Sequence, residues 1–594
     1  MRFLIIFIVL MLTLNNAMSV SISYTLEIND PVKHYFSVKI NINGLDDNDD
    51  YIDLLLPVWR PGRYLIFDFA SDVFGFSVRS GIANLKWRKT DKSRWRIFRN
   101  GFSDIEVFYF VYANEFHLRT KGLDTNHGFV NGAAVFMYPE KYRDSPVTIK
   151  VMPYKDWRVT TGLDNIGSDP FLFYATDYDY LIDCPLEIGR QDDFDFLAGD
   201  RKHTVSIFGK ADYSKSRITN DFKRIIEWNH NFWGHIPYER YVFIIHCTPQ
   251  SSGGTEHINS TVVGVRPSQF NSTDGYRDFL RLISHEFFHT WNVKQLKPAG
   301  LLPYDYTQEN YTEELWIAEG ATSYYDRLIL VRTGLEQVGN FFNQIIGFVK
   351  DDRNRPGNRI QSLAESSFDA WIKFWKRNPH AYDTECDYYK KGSYVSMILD
   401  LEIRKSSENK YSLDDVFRYM YKNYALNETG YTNQDFISVS EKFAGRSLKE
   451  FFDRYLYGTE PIEWEKYLLY AGLELTADDT TIASVLGIRT SNKDGKIIVD
   501  DVLKGSSAFD AGIFPGDQII ALDGKTMPYE EMESKLQGLK EDDNIRLALI
   551  RFNDLKEFNI RFRKQVIVNY NLRKVKNPTK LQKKIYEGWL GVRW

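Results

Sequence analysis

The prediction of the fold starts from residues 285–289, His285-Glu286-Phe287-Phe288-His289. On a helix, two histidines four residues apart lie on one face, where both can bind a single metal ion. The preceding residues predict such a helix, because Phe279, Ile283 and Phe287 recur at helical spacing and can face a core. Two imidazoles are an incomplete catalytic zinc site, which usually has three protein ligands and leaves a fourth position to water. A third ligand is therefore expected elsewhere.

Glu319 is the best candidate for that third ligand. It lies 30 residues beyond His289, in the run from Leu315 to Tyr325, whose apolar residues predict a mostly buried helix. A carboxylate buried there is costly without a cation or hydrogen-bond partners. Glu313 and Glu314 are alternatives, but they begin the predicted helix, where acids favour the positive end of its dipole. Gly320, next to Glu319, would let two helices approach closely.

A glycine-rich segment precedes the histidines. Residues 253–257, Gly253-Gly254-Thr255-Glu256-His257, follow a strand-like apolar run at 241–245. Glycines after a strand allow a ligand to approach the backbone closely, and Glu256 could hold an ammonium group. The alternative is an ordinary glycine-rich turn with a solvated glutamate, and the segment alone favours that alternative.

A tyrosine pair follows the proposed ligands. Tyr388 and Tyr389 lie in residues 387–392, Asp-Tyr-Tyr-Lys-Lys-Gly, before a helix-like run at 394–399. A tyrosine hydroxyl near the metal could donate to the oxyanion that develops in acyl transfer. With 37 tyrosines in the chain, the pair carries little weight by itself.

Taken in this order, these residues resemble the gluzincin metallopeptidases, and more narrowly the glycyl aminopeptidase family, in which a thermolysin-like domain is joined to a PDZ domain. The narrower match rests on residues 285–298, 314–320 and 253–257, and on Trp-Arg-Pro-Gly-Arg-Tyr at 59–64. The interval from His289 to Glu319 exceeds that of the better-known gluzincins. This departure puts the intervening loop in doubt but not the ligands.

The resemblance implies a role for each matching residue. It implies one Zn²⁺ per chain, a general base that passes the proton of a metal-bound water to the leaving amine, and a carboxylate that binds the free α-amino group of the substrate. The oxyanion would be stabilised by Tyr389, with Tyr388 as the second choice. The implied positions are His285, His289 and Glu319 for the metal, Glu286 for the base, and Glu256 with Gly253 and Gly254 for the substrate.

Three regions follow one another along the chain, and together they predict a multidomain α+β protein. Residues 20–190 carry alternating runs between Gly, Asp, Asn and Pro turns, which predict an N-terminal β-sandwich-like domain. Residues 195–465 have helical periods and hold all the proposed chemistry, as a mainly helical, thermolysin-like domain. In residues 466–594, the stretch 505–524 resembles PDZ domains and Leu486-Gly487-Ile488 resembles their carboxylate-binding loop, with a helical extension after it. Because every proposed catalytic residue precedes 475, deletion from there is expected to spare chemistry on short peptides.

The N-terminus predicts export. Residues 1–19 contain one basic residue and an apolar run from Phe3 to Leu14, which reads as a secretory signal peptide and is too short to span a bilayer. An uncleaved anchor is the alternative, and no later segment is long and apolar enough to span. The expected location is therefore the periplasm or the medium. The net charge of −5 suggests no nucleic-acid partner. Of the three cysteines, at least one must be unpaired within the monomer.

Three functions stay open. The leading one is an exported zinc aminopeptidase that removes N-terminal residues, Gly or Ala by family resemblance, from peptides with a free N-terminus. The second is a zinc endopeptidase on the same site, which would also cut peptides with a blocked N-terminus. The third is a non-enzymatic peptide-binding scaffold, which the intact Glu286 argues against. A PDZ-like domain could also capture a peptide C-terminus beside a sheet edge.

Overall fold

The computed structural model describes residues 20–46, 49–426, 429–484, 486–537, 543–562 and 564–594. The proposed signal peptide, residues 1–19, lies outside the described residues. Within them, no helix is both long and apolar enough to cross a membrane. The three described cysteines are buried and free.

The N-terminal region is rich in strands, as predicted. Its strands alternate buried and exposed positions, as in Tyr35–Asn43, so that one face of each sheet faces a core. They form one eight-stranded and two four-stranded sheets. The elements are β1 (Ser21–Glu27), β2 (Tyr35–Asn43), β3 (Tyr51–Leu55), β4 (Val73–Ser80), β5 (Ala83–Asn84), β6 (Trp87–Asp91), β7 (Arg94–Phe98), β8 (Ile105–Tyr112), β9 (Lys121–Leu123), β10 (His127–Val130), β11 (Tyr138–Pro139), β12 (Val147–Met152), β13 (Arg158–Thr161), β14 (Asp164–Asn165), β15 (Leu172–Ala175), α1 (Tyr178–Ile182) and β16 (Leu186–Gly189).

The middle region combines one sheet with a set of helices, and the predicted mainly helical character is confirmed. Its sheet has five strands in the order β17-β18-β19-β21-β20, and β20 is an antiparallel edge strand. The elements are β17 (Asp192–Ala198), β18 (Arg201–Gly209), α2 (Lys215–Trp233), β19 (Arg240–Cys247), β20 (Gly254–Glu256), β21 (Ser260–Val265), α3 (Thr273–Phe288), α4 (Thr322–Arg332), α5 (Val338–Asn354), α6 (Leu363–Phe368), α7 (Ala381–Thr384), α8 (Tyr388–Ser406), α9 (Leu413–Met420), α10 (Asn433–Ala444), α11 (Lys449–Tyr455) and α12 (Trp464–Tyr470).

The C-terminal region has an apolar core of its own. Its five-stranded sheet runs in the order β23-β24-β25-β26-β27, and a separate two-stranded ribbon, β22 with β28, connects it to the middle region. The elements are β22 (Leu473–Ser484), β23 (Ile488–Lys493), β24 (Lys496–Val502), α13 (Ser507–Ala511), β25 (Gln518–Leu522), α14 (Tyr529–Gln537), β26 (Asn544–Arg551), β27 (Asp554–Arg561), β28 (Lys564–Lys574) and α15 (Lys580–Leu590).

The last helix, α15, returns to the middle region and packs on α4, α8 and α12. Trp589 is fully buried there, and its indole nitrogen donates to the hydroxyl of Tyr324, 2.8 Å away. The Tyr324 hydroxyl in turn donates to buried Asp400 at 2.7 Å. The buried face of helix α15 is therefore part of the core around α4.

Polar contacts join the N-terminal and middle regions. Asp183, just after α1, lies 2.6 Å from the amino group of Lys294 and 3.2 Å from Nδ1 of His257. A second buried cluster contains Glu187, His127 and His246. One carboxylate oxygen of Glu187 lies 2.8 Å from Nε2 of His127, and the other lies 2.8 Å from Nε2 of His246. Because both contacts are buried, the two regions are expected to keep a fixed relative position.

Candidate active site

Two histidines and a glutamate converge at the C-terminal end of α3. The Nε2 atoms of His285 and His289 lie 3.1 Å apart. Oε2 of Glu319 lies 3.6 Å from Nε2 of His285 and 3.1 Å from Nε2 of His289. Glu319 is almost completely buried, with 2% of its surface exposed. The structure thus brings together the three residues that the sequence proposed as metal ligands.

This trio fits a zinc ion. Three ligands at the usual Zn–N and Zn–O distances in tetrahedral geometry would lie about 3.3 Å from one another, and the observed separations are 3.1–3.6 Å. A set of two imidazoles and one carboxylate is a donor set that catalytic zinc uses. The two Nε2 atoms face each other, and a shared cation would satisfy both.

The outer nitrogens of both imidazoles have partners that fix the rings. Nδ1 of His285 lies 3.3 Å from Oδ2 of Asp326, and Nδ1 of His289 lies 2.8 Å from the carbonyl of Asn292. A ring whose Nδ1 donates to an oxygen presents Nε2 as a bare lone pair, which is the form a metal binds. Asp326 is fully buried in the apolar helix α4. Sequence reasoning missed it, although the argument used for Glu319 applies equally to this buried acid.

Glu319 lies in a π-helical turn, Trp316–Ala321, directly before α4. Gly320 contacts Gly392 of α8, and a Cβ built on Gly320 would lie 2.6 Å from the Gly392 Cα. This confirms the close helix approach expected at Gly320. Glu314, the alternative ligand, has a different partner: its carboxylate accepts a hydrogen bond from the backbone nitrogen of Asn433 at 2.9 Å.

Glu286 is buried against the edge strand β20. A Cβ on Gly254 would lie 2.2 Å from Oε1 of Glu286, so only glycine leaves room for that carboxylate. Burial raises the pKa of Glu286, and the neighbouring imidazoles of His285 and His289 partly oppose that rise. A carboxylate whose pKa is raised toward neutrality is suited to accept and release a proton.

Glu256, at the end of β20, is buried beside Glu286. Ligand atoms of Glu256, Glu286 and His289 all lie within 4.8 Å of one another. Oε1 of Glu256 has no hydrogen-bond partner among the described residues. The segment that carries it is held by the N-terminal region, because the Arg60 guanidinium donates to Thr255 and, at 3.3 Å, to the carbonyl of Glu256. Gly253 adopts a left-handed backbone with φ of +76°.

The two tyrosines occupy different positions. Both lie in the first turn of α8, whose N-cap is Asp387. Tyr389 lines the cleft, and its ring centroid is 6.3 Å from that of His285. Tyr388 is fully buried, and its hydroxyl accepts from the indole of Trp375 at 3.1 Å. Burial, followed by the nearby Glu319 carboxylate, raises the pKa of Tyr389, so its hydroxyl stays protonated and can donate.

An open cleft of about 810 Å³ contains these groups. Its lining includes residues that the sequence did not single out, among them Gly62, which belongs to the motif at 59–64. In the same motif, the Arg63 guanidinium stacks 3.4 Å from the ring of Trp375, another cleft residue. The N-terminal region therefore forms part of the wall. The remaining charged lining residues are Arg119, Arg281, Arg327, Arg377 and Lys390.

Three family models match the chain. Residues 23–190 match the peptidase M61 N-terminal domain, residues 278–395 match the M61 glycyl aminopeptidase model, and residues 484–562 match a PDZ domain. The second match includes the His285, His289 and Glu319 trio. Among curated protein sequences, none matches this chain at a significant level.

Solved structures resemble the chain to different extents. An aminopeptidase N family protein from Idiomarina loihiensis shares 29% identity and a TM-score of 0.87, over 96% of this chain and 100% of that one. An M1 zinc metallopeptidase from Deinococcus radiodurans shares 11% identity and a TM-score of 0.47, over 75% and 96% of the two chains. Yeast LTA4 hydrolase shares 14% identity and a TM-score of 0.44, over 76% and 68%. The first of these likenesses extends over all three regions of the fold.

Proposed function

We propose that this chain is an exported zinc aminopeptidase of the M61 glycyl aminopeptidase family, whose models match its N-terminal and catalytic regions. In this proposal one zinc ion per chain is held by His285, His289 and Glu319. The protein would remove the N-terminal residue from peptides that carry a free amino group. The name of the matching family model favours Gly as that residue, and Ala is the alternative because it is the next smallest residue.

The position of Glu256 is the observation that supports an aminopeptidase best. Its carboxylate lies within 4.8 Å of the ligand atoms of Glu286 and His289. That distance leaves room for about one residue between a bound ammonium group and a carbonyl at the metal, since an extended residue spans about 3.5 Å. The buried Oε1, which has no partner among the described residues, would gain a charge-assisted hydrogen bond from the ammonium.

The chemistry of each group follows from its place. When bound, zinc would act as a Lewis acid and lower the pKa of a water molecule to about 7. Glu286 would accept the proton of the attacking water and then deliver it to the leaving amine. The Tyr389 hydroxyl would donate to the carbonyl oxygen as negative charge develops there. Asp326, through its contact with Nδ1 of His285, would hold that ring in its metal-binding orientation.

Export is proposed from the N-terminal residues 1–19, whose apolar run has the length of a secretory signal. Three buried, free cysteines place no demand on an oxidising compartment, so they neither require nor oppose export. The proposal predicts that mature protein recovered from the medium or periplasm begins near residue 18 or 20.

The PDZ domain is proposed to bind a peptide C-terminus along β23, which is an edge strand of its sheet. The hydroxyl of Tyr529 on α14 already donates to the backbone carbonyl of Thr490 in β23, at 2.9 Å. Thr490 also donates through its hydroxyl to Glu533, at 3.1 Å. A bound peptide would have to replace these contacts, so weak affinity is expected.

The decisive experiment compares short peptides with free and acetylated N-termini. We expect cleavage of alanyl-alanyl-alanine and loss of cleavage after acetylation. A Glu256→Ala variant should retain zinc and lose most of its kcat/KM on the free peptide, because the ammonium loses its counter-ion. Equal cutting of both peptides would favour the endopeptidase alternative, and no hydrolysis of any peptide by zinc-loaded protein would favour the peptide-binding scaffold.

A further inference from the structure

Charge is unevenly distributed along the cleft. The acidic lining residues, Glu256, Glu286 and Glu319, all lie at the trio of ligands, where Glu256 and Glu286 are within 4.8 Å of His289. The other charged lining residues are basic: Arg119, Arg281, Arg327, Arg377 and Lys390. A cleft lined with one sign of charge attracts a ligand group of the opposite sign.

Most of these basic groups have partners within the protein. The partnered contacts are Lys390 with Asp351 at 2.8 Å, Arg281 with Asp326 at 3.3 Å, Arg377 with Asp387 at 3.5 Å, and Arg119 with the carbonyl of Gly254 at 2.7 Å.

Arg327 differs from the other four. Among the described residues, no carboxylate lies within 4.0 Å of its guanidinium, and its buried Nε has no hydrogen-bond partner. The nearby Glu336 interacts electrostatically with Arg327 and forms an ion pair with Arg277 at 3.4 Å, but neither of its buried carboxylate oxygens has a hydrogen-bond partner among the described residues. Gln344, which also lines the cleft, has a buried Oε1 that no described residue contacts by a hydrogen bond. Leaving such groups without partners is costly, so both are available for a ligand.

The helices show where Arg327 lies relative to Glu256. Glu319, Ser323 and Arg327 follow at four-residue spacing and all line the cleft, so Arg327 is about 12 Å along the helix axis from Glu319. On α3, Arg281 lies eight residues before His289, also about 12 Å. His289 is beside Glu256, whereas Arg281 contacts Asp326, the neighbour of Arg327. Arg327 and Glu256 therefore lie at opposite ends of the cleft.

We propose that Arg327 binds a carboxylate of the substrate, two or three residues beyond the scissile bond. This inference rests on the aminopeptidase function proposed above, with the substrate ammonium at Glu256. Two or three extended residues span about 7 to 11 Å. This span matches the distance along the helix from Glu319 to Arg327, because the Arg327 side chain leans back toward the N-terminus of its helix and shortens that distance. The preferred substrates are short peptides whose C-terminal carboxylate reaches Arg327, or peptides with an acidic side chain at that position.

Two pairs of peptides separate these two sources of the carboxylate. One pair is alanyl-alanyl-alanine with a free or an amidated C-terminus. The other is amidated alanyl-alanyl-glutamate against amidated alanyl-alanyl-glutamine. We expect the wild-type kcat/KM to be about tenfold higher for the charged member of at least one pair, consistent with one charge-assisted contact in a partly open cleft. The preference should shrink as ionic strength rises.

The Arg327→Gln variant tests the residue. The ratio of kcat/KM between the charged and uncharged peptide should fall to near unity in Arg327→Gln and be partly retained in Arg327→Lys. The control is Arg88→Gln, which removes an exposed arginine on β6 and should keep the wild-type ratio. Equal kcat/KM within both pairs for the wild type, or an unchanged ratio in Arg327→Gln, would overturn the inference while cleavage of the amides still supports an aminopeptidase.

Calorimetric titration gives the same comparison without turnover. The Glu286→Gln protein, titrated with each peptide, should bind the charged member of the preferred pair about tenfold more tightly. Equal dissociation constants within both pairs would overturn the carboxylate site even if no peptide is cleaved. Failure of the inference and failure of the proposed function are thereby distinguished.

Discussion

The backbone of Gly62 packs directly against the carboxylate of Glu256, so closely that a Cβ on Gly62 would lie 2.3 Å from Oε1. Gly62 also has a left-handed backbone, with φ of +83°. A glycine of the N-terminal region thus shapes the position of the carboxylate proposed to bind the substrate ammonium. The contact explains why the motif at 59–64 belongs to the candidate site although it lies far from the proposed metal ligands in sequence.

The first prediction concerns Gly62→Ala. We expect kcat/KM on free peptides to fall at least tenfold with zinc content unchanged, because the new methyl group displaces the Glu256 carboxylate. Gly101→Ala is a matched control, since Gly101 has a similar φ of +81° but no atom within 4 Å of its Cβ position. Both variants carry the same backbone strain, about 1 kcal/mol. Equal activities of the two variants would contradict a steric role for Gly62.

Removing the proposed third ligand tests the proposed metal site. Glu319→Ala should lose most of its zinc, because two imidazoles alone bind the ion weakly. Glu314→Ala is the control, since Glu314 binds the backbone nitrogen of Asn433 instead and its loss should leave the metal in place. Elemental analysis after dialysis measures both. Full zinc in Glu319→Ala would assign the third ligand to another residue.

Local sequence predicted the groups that lie on one helix or in one apolar run. His285 and His289 are related by helical periodicity, and Glu319 is a charge in an otherwise apolar segment. The packing of Gly62 against Glu256 could not be predicted this way, because it joins residues nearly 200 positions apart. The N-terminal strands were predicted, but not their division into three sheets, since alternation shows which face is buried and not which strands pair.

The proposed role of Glu286 as general base is tested by Glu286→Gln. The amide keeps the shape of the side chain but cannot accept a proton, so turnover should fall by about 10²-fold to 10⁴-fold while zinc is retained. Burial that raises the pKa of Glu286 is consistent with proton transfer near neutral pH. Activity near the wild-type level in zinc-loaded Glu286→Gln would remove this residue from the mechanism.

The expectation that deletion from residue 475 spares chemistry on short peptides stays a prediction, but the packing of α15 adds a cost to that deletion. Such a truncation removes α15 and the buried Trp589, which contacts Tyr324 of α4, and we expect it to destabilise the helix that follows Glu319. Replacing residues 485–563 with a short glycine-serine turn is the appropriate deletion, because Ser484 and Lys564 pair at the end of the ribbon. This variant should keep its activity on tripeptides. Inactivity of the folded, zinc-loaded deletion would show that the PDZ domain completes the site.

The last prediction concerns the contact between Asp183 and Lys294. Burial alone would raise the pKa of Asp183, but Lys294 and His257 outweigh it and lower the pKa to about 2. A carboxylate with a lowered pKa stabilises the fold above its unfolded pKa, near 3.9, and that contribution is lost as the pH falls toward 2. Asp183→Asn should therefore reduce the free energy of unfolding at pH 7 by about 3 kcal/mol or more, since Lys294 stays buried without its counter-ion. The matched control is Asp156→Asn, which breaks the exposed pair with Arg190 and should cost much less, because exposed ion pairs contribute little to stability. Urea unfolding at several pH values measures both variants against the wild type. The difference in the free energy of unfolding between wild type and Asp183→Asn should be constant from pH 7 to about pH 5 and shrink below pH 4. A difference that grows on acidification would contradict a charged Asp183 in the native protein.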